Sequence, residues 1–525
     1  GTNLYRSDDG FTTPNKIFQI GGYEIGTKFP DFKVYKNHHP DQHNLIFMPS
    51  NPDIIISAND GGLSKSFNCM ADTVRWEFLN NGYLSTQFYT IAIDENSKSD
   101  IIIGGLQDNG NYFVNSKDPQ AVWTMPLNGD GAFCEFSKEP GIYYLSIQSG
   151  KVYKFNIENT GNIKGFRRID PIGGKNYEFI NSFVLDPNNS NIMYLAGGRY
   201  LYRNDSLNYI NLDNKWDSIS MGWYKFPDAL KGPDTVISAV AVSKNPPNIV
   251  YYGTNQRNLF RIDNANNNFR YKRTNISDNK IFPYSGNSEG AKICCIAVDP
   301  DDGYKVIVVF SNYNVYSMFY SEDRGKTWMK VAGNLEANMN GSGAGPSFRW
   351  VSIMPFGKER AYFLGTSTGL YVTDKLVNHT DSTSTIWTKF GSEYIGNIVV
   401  NMIKTRTTDN LVVVATHGNG VFSTNVTYDQ IKGLCEHSRQ NFGLLSLYPN
   451  PASEYVNIDI KLSDRAKADI EIYSRSGELI SKYSKYLEKG NNKVSQVVNK
   501  FENGIYFVVV RYNNNCLSKA FVVLK

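Results

Sequence analysis

One unit recurs eight times along this chain, and that repetition restricts the fold more than any other feature. Each unit carries a short β-branched or aromatic run, often closing on Gly, then a polar turn and a second short apolar run. The first runs begin at Ile54, Ile101, Ile142, Ile192, Ile249, Val306, Ala361 and Leu411, spaced 41 to 57 residues apart and 51 on average. Another strand precedes each, as in Ile91-Ala92-Ile93-Asp94 and Ile296-Ala297-Val298-Asp299-Pro300. An aromatic-bearing strand follows most of them, with Trp76, Trp123, Phe166, Trp216, Phe269, Trp328 or Trp387. The unit therefore holds four strands, A to D. Helical periodicity is almost absent up to residue 430.

Repeats of about 40 to 50 residues with four strands are what propeller blades require. A lone four-stranded sheet has two faces to cover, and neighbours stacked around a ring cover both while leaving only short edges. The pattern predicts an all-β chain: a β-propeller of about eight blades, seven to nine, over residues 1–430. The eighth unit shows A, B and C but no clear D, and the run Ile17-Phe18-Gln19-Ile20 is expected to supply it and close the ring. The competing account makes the segment from Leu4 to Ile20 a remnant of further blades. The opening residues carry no charged and apolar leader, so a secretory signal is expected to be gone already.

Composition narrows the partners. The 54 basic and 50 acidic side chains leave a formal charge of +4, too little excess to neutralise a run of phosphates, so nucleic acid is not indicated. Six cysteines (Cys69, Cys134, Cys294, Cys295, Cys435, Cys516) show no CxxC pairing and no disulfide framework. Apolar runs such as Ile505 to Val510 are strand-length, well short of the roughly 20 residues that span a bilayer. No transmembrane segment, cofactor-binding loop or Ser/His/Asp triad stands out.

Beyond residue 430 the pattern changes. A polar linker, 431–441, leads to a block over 442–525 whose alternating runs (Val456, Ile458, Ile460, Leu462; then Ile470, Ile472) and regular turns predict a small antiparallel sandwich. Its landmarks are Leu447-Tyr448-Pro449-Asn450-Pro451-Ala452, the stretch IYSRSGELI, Asn503-Gly504-Ile505-Tyr506 and Lys519-Ala520-Phe521-Val522-Val523. In that order they closely resemble the type A C-terminal sorting domain of the type IX secretion system. Pro449, Asn450, Pro451, Gly504, Tyr506 and Lys519 carry the resemblance. It implies a partner, the type IX machinery, and a secreted or surface-anchored protein.

A second resemblance lies in the repeat. Ser321-Glu322-Asp323-Arg324-Gly325-Lys326-Thr327-Trp328 matches the Asp-box (BNR) pattern SxDxGxTW, and Ser7-Asp8-Asp9-Gly10 looks like a degenerate copy. In sialidase-like, sortilin-like and xyloglucanase-like propellers this box is a structural C-to-D hairpin, so Asp323 is read as turn-forming. The runs DQH, NDGG, QFY, GGLQDNG, GDG and THGNG resemble those of secreted, glycosyl-hydrolase-like Asp-box propellers. That resemblance implies carbohydrate binding or glycoside hydrolysis. An arginine-bearing FRIP motif is missing, which argues against a true sialidase. The paired aspartates of xyloglucanases sit on two propellers, and a single ring is evident in the repeat.

Up-and-down strands put B-to-C turns and D-to-A connections on the same face. That gathers Asp60, Asp108, Gln148 and His417 with His39, Asp41, His43, Gln87, Tyr89 and Asp130. Glycoside hydrolysis needs one protonated and one charged carboxyl about 5 to 9 Å apart, and Asp60 with Asp108 is the candidate pair. Both also sit in Asp-Gly-type turns that favour such residues without any catalysis. Asp41, His43, Gln87, Tyr89, Asp130 and His417 are the expected ligand contacts. His39, Asp41 and His43 alternate and suit a metal if they lie on one extended strand, although a hydrogen-bonded rim serves the same residues. Tyr83, Phe88, Tyr89 and Tyr112 are candidates for stacking on sugar rings. The function expected is binding of a glycan or a cell-surface protein, with a paired-aspartate glycoside hydrolase as the alternative.

Overall fold

The computed structural model describes residues 1–27, 33–285, 289–380, 383–441, 444–462, 464–513 and 515–525, and the chain divides into two compact units, Gly1–Tyr428 and Asp429–Lys525. The first is all-β, and its B strands fall where the repeat places them: Asn51–Asn59, Ile101–Leu106, Ile142–Ile147, Met193–Gly197, Val250–Thr254, Val306–Phe310, Glu359–Thr366 and Leu411–Thr416. Seven of the eight sheets built on them have four strands, in sequential antiparallel order. The eighth has three, Val400–Arg406, Leu411–Thr416 and Val421–Asn425.

The ring itself closes on seven blades. These are 88–127, 131–168, 183–225, 237–275, 293–330, 348–389 and 400–425, named blades 1 to 7 below. The innermost strand of blade 7 packs directly on that of blade 1, Phe88–Ile93. Phe88, Ile91, Ile93 and Leu106 of blade 1 share one buried core with Met402, Val413 and Ala415 of blade 7. Side-chain donors rivet successive inner strands: Thr90 Oγ1 to Ala132 O at 2.6 Å, Ser238 Oγ to Ile293 O at 2.6 Å, and Ser352 Oγ to Ile403 O at 2.7 Å. At the seam Asn401 Nδ2 does the same to Phe88 O at 2.7 Å. Each gives a donor to an inner-strand carbonyl, and buried backbone groups need such partners.

The eighth sheet, Gln42–Met48, Asn51–Asn59, Gly62–Ser66 and Glu77–Phe78, stands outside this wheel as an N-terminal sheet. The expected closing strand also goes elsewhere. Ile17–Gly21 pairs with Leu4–Ser7, not with the last blade. The reason is local: the turn after Ser7 brings two neighbouring segments together at little loop-closure cost, and the inner strands close the wheel without a fourth strand in blade 7.

Two aromatic expectations are corrected. The outer strand of blade 3 is Trp223–Lys225, while Trp216 packs on Phe166 and Tyr153 of blade 2. Phe269 is 97% exposed, and the outer strand of blade 4 is Lys272–Asn275. The Gly104-Gly105 pair of the GGLQDNG run is explained by packing. A Cβ on Gly105 would lie 2.2 Å from Ala132 O in the next blade, so a side chain is excluded there.

The connector expected at 431–441 is part of an α-helix, Tyr428–Asn441. After it comes a sandwich of two sheets. One has Leu444–Tyr448, Tyr455–Leu462 and Gly490–Val497; the other has Leu479–Leu487, Ala466–Ser474, Gly504–Tyr512 and Asn515–Val523. The alternation read from sequence is the packing: Val456, Ile458, Ile460 and Leu462 face Ala468, Ile470, Ile472 and Val508 across the core. Each such valine, leucine or isoleucine contributes about 1.5–3 kcal/mol by leaving water. None of the six cysteines is in a disulfide.

Candidate functional site

Where the N-terminal sheet meets blades 1 and 2, loops from three sheets interlock. Asp60-Gly61 is the two-residue turn between Asn59 and Gly62. Its glycine is required by contact, since a Cβ at Gly61 would fall 2.5 Å from the Cβ of His39. The next loop, Gln107-Asp108-Asn109, links Leu106 to Gly110 in blade 1, with Asp108 in the left-handed region at φ 58°. Asp tolerates that conformation better than most residues.

Hydrogen bonds tie the loops in series. Gln148 Oε1 accepts the backbone N–H of Asp130 at 3.0 Å, and Asp130 Oδ1 accepts that of Asp108 at 3.0 Å. His39 Nε2 lies 2.8 Å from Asp108 O, and Asn109 Nδ2 donates to Asp60 O at 3.2 Å. The carboxyl of Asp60 is held by His43 Nε2. Asn80 braces the Asp60 turn from below, through Leu63 N–H at 2.8 Å and Gly61 O at 2.8 Å.

The result is a cavity of about 1340 Å³ whose polar end is lined by His39, Asp41, Asp108, Asn128, Asp130 and Gln148. It continues along the seam between blades 7 and 1 as far as Arg406 and Asp409. Burial, then the nearby Asp130 and Asp60 carboxylates, raise Asp108 to about 6, and a side-chain hydrogen bond with Asp130 adds to the effect. A neighbouring carboxylate disfavours the charged form of a carboxyl, which is why Asp108 keeps its proton to higher pH than a free side chain. The phenol of Tyr89 is pushed up to about 12 by burial and then by Asp130 and Asp108. Tyr23 is raised by burial and by Asp41, Asp130 and Asp108, so its hydroxyl sits among the same acids.

The structure thus draws together Asp41, Asp60, Asp108, Asp130, His43 and Tyr89 from the residues singled out in the sequence. It pairs Asp108 with Asp130 more closely than with Asp60. Gln87 and His417 serve the seam instead: their backbones form an antiparallel bridge joining blade 1 to blade 7. Neither lines the cavity. His39, Asp41 and His43 do not share one strand face, because the strand begins only at Gln42 and Asp41 turns through φ 62°. The His39 ring lies against two carbonyls, Pro40 O at 2.9 Å and Asp108 O at 2.8 Å, and His43 is engaged by Asp60. Among the described residues no cluster of three or more His, Cys, Asp or Glu side chains is arranged to hold a metal. Phe88 is core and Tyr83 is exposed; Tyr112 is half-buried and lines the cavity, whereas Tyr89, close to Asp108 and Asp130, does not line it.

Tyr23, His38 and Trp123 also line the cavity, and no local motif marks them in the sequence. His38 is 1% exposed, packs tilted against Trp76 with centroids 4.1 Å apart, and accepts Gly22 N–H on Nδ1 at 3.0 Å. Burial, then His39, lowers it to about 4.

In the second unit, the landmark motifs converge although about 70 residues separate them. Asn450 Oδ1 accepts Val522 N–H at 2.8 Å, Ala452 N–H reaches Val522 O at 2.8 Å, and Leu524 N–H returns to Ala452 O at 2.9 Å. Gly504 pairs with Val523 and Val508 with Lys519. Tyr506 packs between Phe501 and Phe521 and donates to Glu502 O at 3.0 Å. Pro449 and Pro451 shape the segment that delivers Asn450. These motifs are the clasp of the sandwich.

Residues 446–524 match the family described as the secretion system C-terminal sorting domain. No curated protein matches the chain. The sorting domain indicates export to the cell surface or extracellular space and contact with the secretion machinery. Among the described residues no helix is long and apolar enough to cross a membrane.

Proposed function

We propose that this exported propeller binds a neutral glycan in the cleft between the N-terminal sheet and blades 1 and 2, and that the tail is a type A sorting signal. The observation that carries the reading is the set of polar side chains, His39, Asp41, Asp108, Asn128, Asp130 and Gln148, that loops from three sheets gather at one end of the cavity. Carboxyls and amides set side by side accept from and donate to sugar hydroxyls, and Tyr23 and Tyr112 add aromatic surface to the cavity wall. Hydrolysis would need two carboxyls separated by a sugar oxygen, about 5 to 9 Å. Asp130 is too close to Asp108 for that, because the two hydrogen-bond each other.

A second reading rests on one feature of the same group. Asp108, holding its proton to about 6, has the proton affinity of a general acid at neutral pH, and Asp60 would then be its charged partner. A glycan array probed with the full chain, run beside a panel of chromogenic glycosides, separates the two. Retention on the array without chromophore release, lost in Asp130→Ala, supports binding. Turnover that disappears in Asp108→Asn at unchanged melting temperature supports hydrolysis. No retention on any glycan removes the first reading.

A further inference from the structure

The inner strands of the ring share an irregularity near the end where each begins. In blades 1, 4, 5, 6 and 7 a β-bulge interrupts the pairing with the next strand, at Tyr89, Ser238, Cys294, Arg349 and Asn401. A bulge re-aims the side chain it carries. Three of these side chains reach forward to the following blade: Ser238 Oγ to Ile293 O at 2.6 Å, Cys294 Sγ to Arg349 O at 3.3 Å and Asn401 Nδ2 to Phe88 O at 2.7 Å. Blade 6 makes that link further along its strand, through Ser352 to Ile403 O. Its bulge position is given to an arginine instead.

Arg349 has no partner among the described residues, and its Nε is buried without a hydrogen bond. Holding such a donor out of water costs free energy, and other arginines of the ring avoid it. Arg168, Arg261 and Arg360 each donate from Nε to an aspartate, at 2.7, 3.0 and 2.6 Å. Where Nε is left over, as in Arg203 and Arg273, a terminal nitrogen is engaged with a carbonyl. Arg349 has neither arrangement.

A second cation stands beside it. Lys292, the residue before the inner strand of blade 5, crosses the mouth of the hub to Glu178, which precedes blade 3, with Nζ 2.8 Å from Oε2. The Lys292 side chain is 42% exposed, so the mouth is open to solutes. Burial raises the Cys294 thiol to about 11, while Lys292, Ser311 and Arg349 act against that rise; both cations thus lie near one sulfur. They face one described carboxylate, and one positive charge is left over. Below them the rings of Phe133 in blade 2 and Trp350 in blade 6 stand across the hub with centroids 6.4 Å apart. Neither Glu178, Lys292 nor Arg349 lines the cleft described above.

We propose that the mouth of the hub is an anion site, in which Arg349, assisted by Lys292, holds a singly charged oxyanion: a carboxylate or a sulfate ester. The single surplus charge sets the valence, and the planar fork of a guanidinium pairs with two oxygens of one group. Trp350, next in sequence, supplies an aromatic floor.

Titration of the full chain with acetate and with methyl sulfate, at an ionic strength held constant with chloride, tests this by tryptophan fluorescence and melting temperature. At least one of the two anions is expected to bind saturably and to raise the melting temperature, and which one does so distinguishes a carboxylate from a sulfate ester. Arg349→Met should weaken binding about tenfold or more, as loss of hydrogen bonds to a charged group does, and Arg349→Lys should weaken it less. Glu178→Gln frees Lys292 of its opposite charge and should tighten binding about two- to fivefold, the worth of one partly exposed charge pair. That variant keeps an acceptor for Lys292, so it decides the matter if Arg349→Met does not fold. Both anions acting no differently from chloride overturn the proposal. So does binding that is undiminished in Arg349→Met, or that fails to tighten in Glu178→Gln.

Discussion

Arg406→Ala tests the seven-bladed closure at its most loaded side chain. Arg406 sits on the inner strand of blade 7 and is 2% exposed. It donates across the seam to Ser99 O at 2.7 Å and Asp94 O at 3.2 Å in the loop after blade 1's inner strand. Within its own hairpin it grips Asp409 at 2.8 Å through both carboxylate oxygens. Removing one partner of a buried ion pair costs about 3–5 kcal/mol. Asp409 is partly solvated, with its side chain 20% exposed, so water recovers part of that. Two seam carbonyls are left without a partner, each at about 1–3 kcal/mol, and the expected total is about 3 kcal/mol. The control is Arg360→Ala between blades 5 and 6, where the guanidinium holds Asp299 at 2.6 Å and Asp301 at 3.0 Å. All seven tryptophans lie within the first unit, so urea unfolding followed by tryptophan fluorescence reports on the propeller without the sandwich. In a closed wheel the two variants lose similar stability. A loss below about 0.5 kcal/mol at Arg406, typical of a surface change, beside a full loss at Arg360, would refute closure between blades 7 and 1.

Three further outcomes are expected. Asp108 is raised from 3.8 to about 6 in the folded chain, so its contribution to stability is fully present below pH 3.8 and is lost as pH rises through about 6. Asp108→Asn should therefore gain stability relative to the parent across that window, and parallel pH–stability curves would count against the carboxyl cluster. Glu471 behaves in the opposite sense. Hydrogen bonds from Lys482, then Arg511 and Tyr473, lower it from 4.5 to about 2, so its stabilisation is present above pH 4.5 and lost as pH falls towards 2. Glu471→Gln should accelerate hydrogen exchange over 466–512 at neutral pH and converge with the parent near pH 2. Asp323→Ala removes the acceptor of four hydrogen bonds and should cost about 1–2 kcal/mol, as loss of a capping side chain does, without changing glycan retention; an unaltered urea midpoint would show that the turn forms without it.

The strands were legible because burial writes itself into alternation. Gly504–Tyr512 buries every second residue from Tyr506 onward, and Val306–Phe310, an unbroken apolar run, is buried along its whole length. The Asp-box read as a turn in the sequence has the hydrogen bonds of one. Short-range chemistry of this kind is carried by adjacent residues and can be read from them. The sorting tail was legible for the same reason, through motifs that now prove to be one clasp.

Blade count was not readable, because ring closure is a contact between residues 311 to 313 positions apart, Ile91 with Met402 and Phe88 with Asn401. Nothing local in either strand says which of eight similar sheets will be its neighbour. Partner choice among the acids had the same origin: Asp108 pairs with Asp130 because a D-to-A connection crosses a hairpin of the preceding blade, a three-dimensional accident of loop path. The order of residues dictates which segments become strands, where turns break them, and that a sorting domain follows. Which sheets share a wheel, which sheet stands beside it, and which carboxyls come together are settled only when the chain packs, because those depend on distances across space that no stretch of sequence encodes.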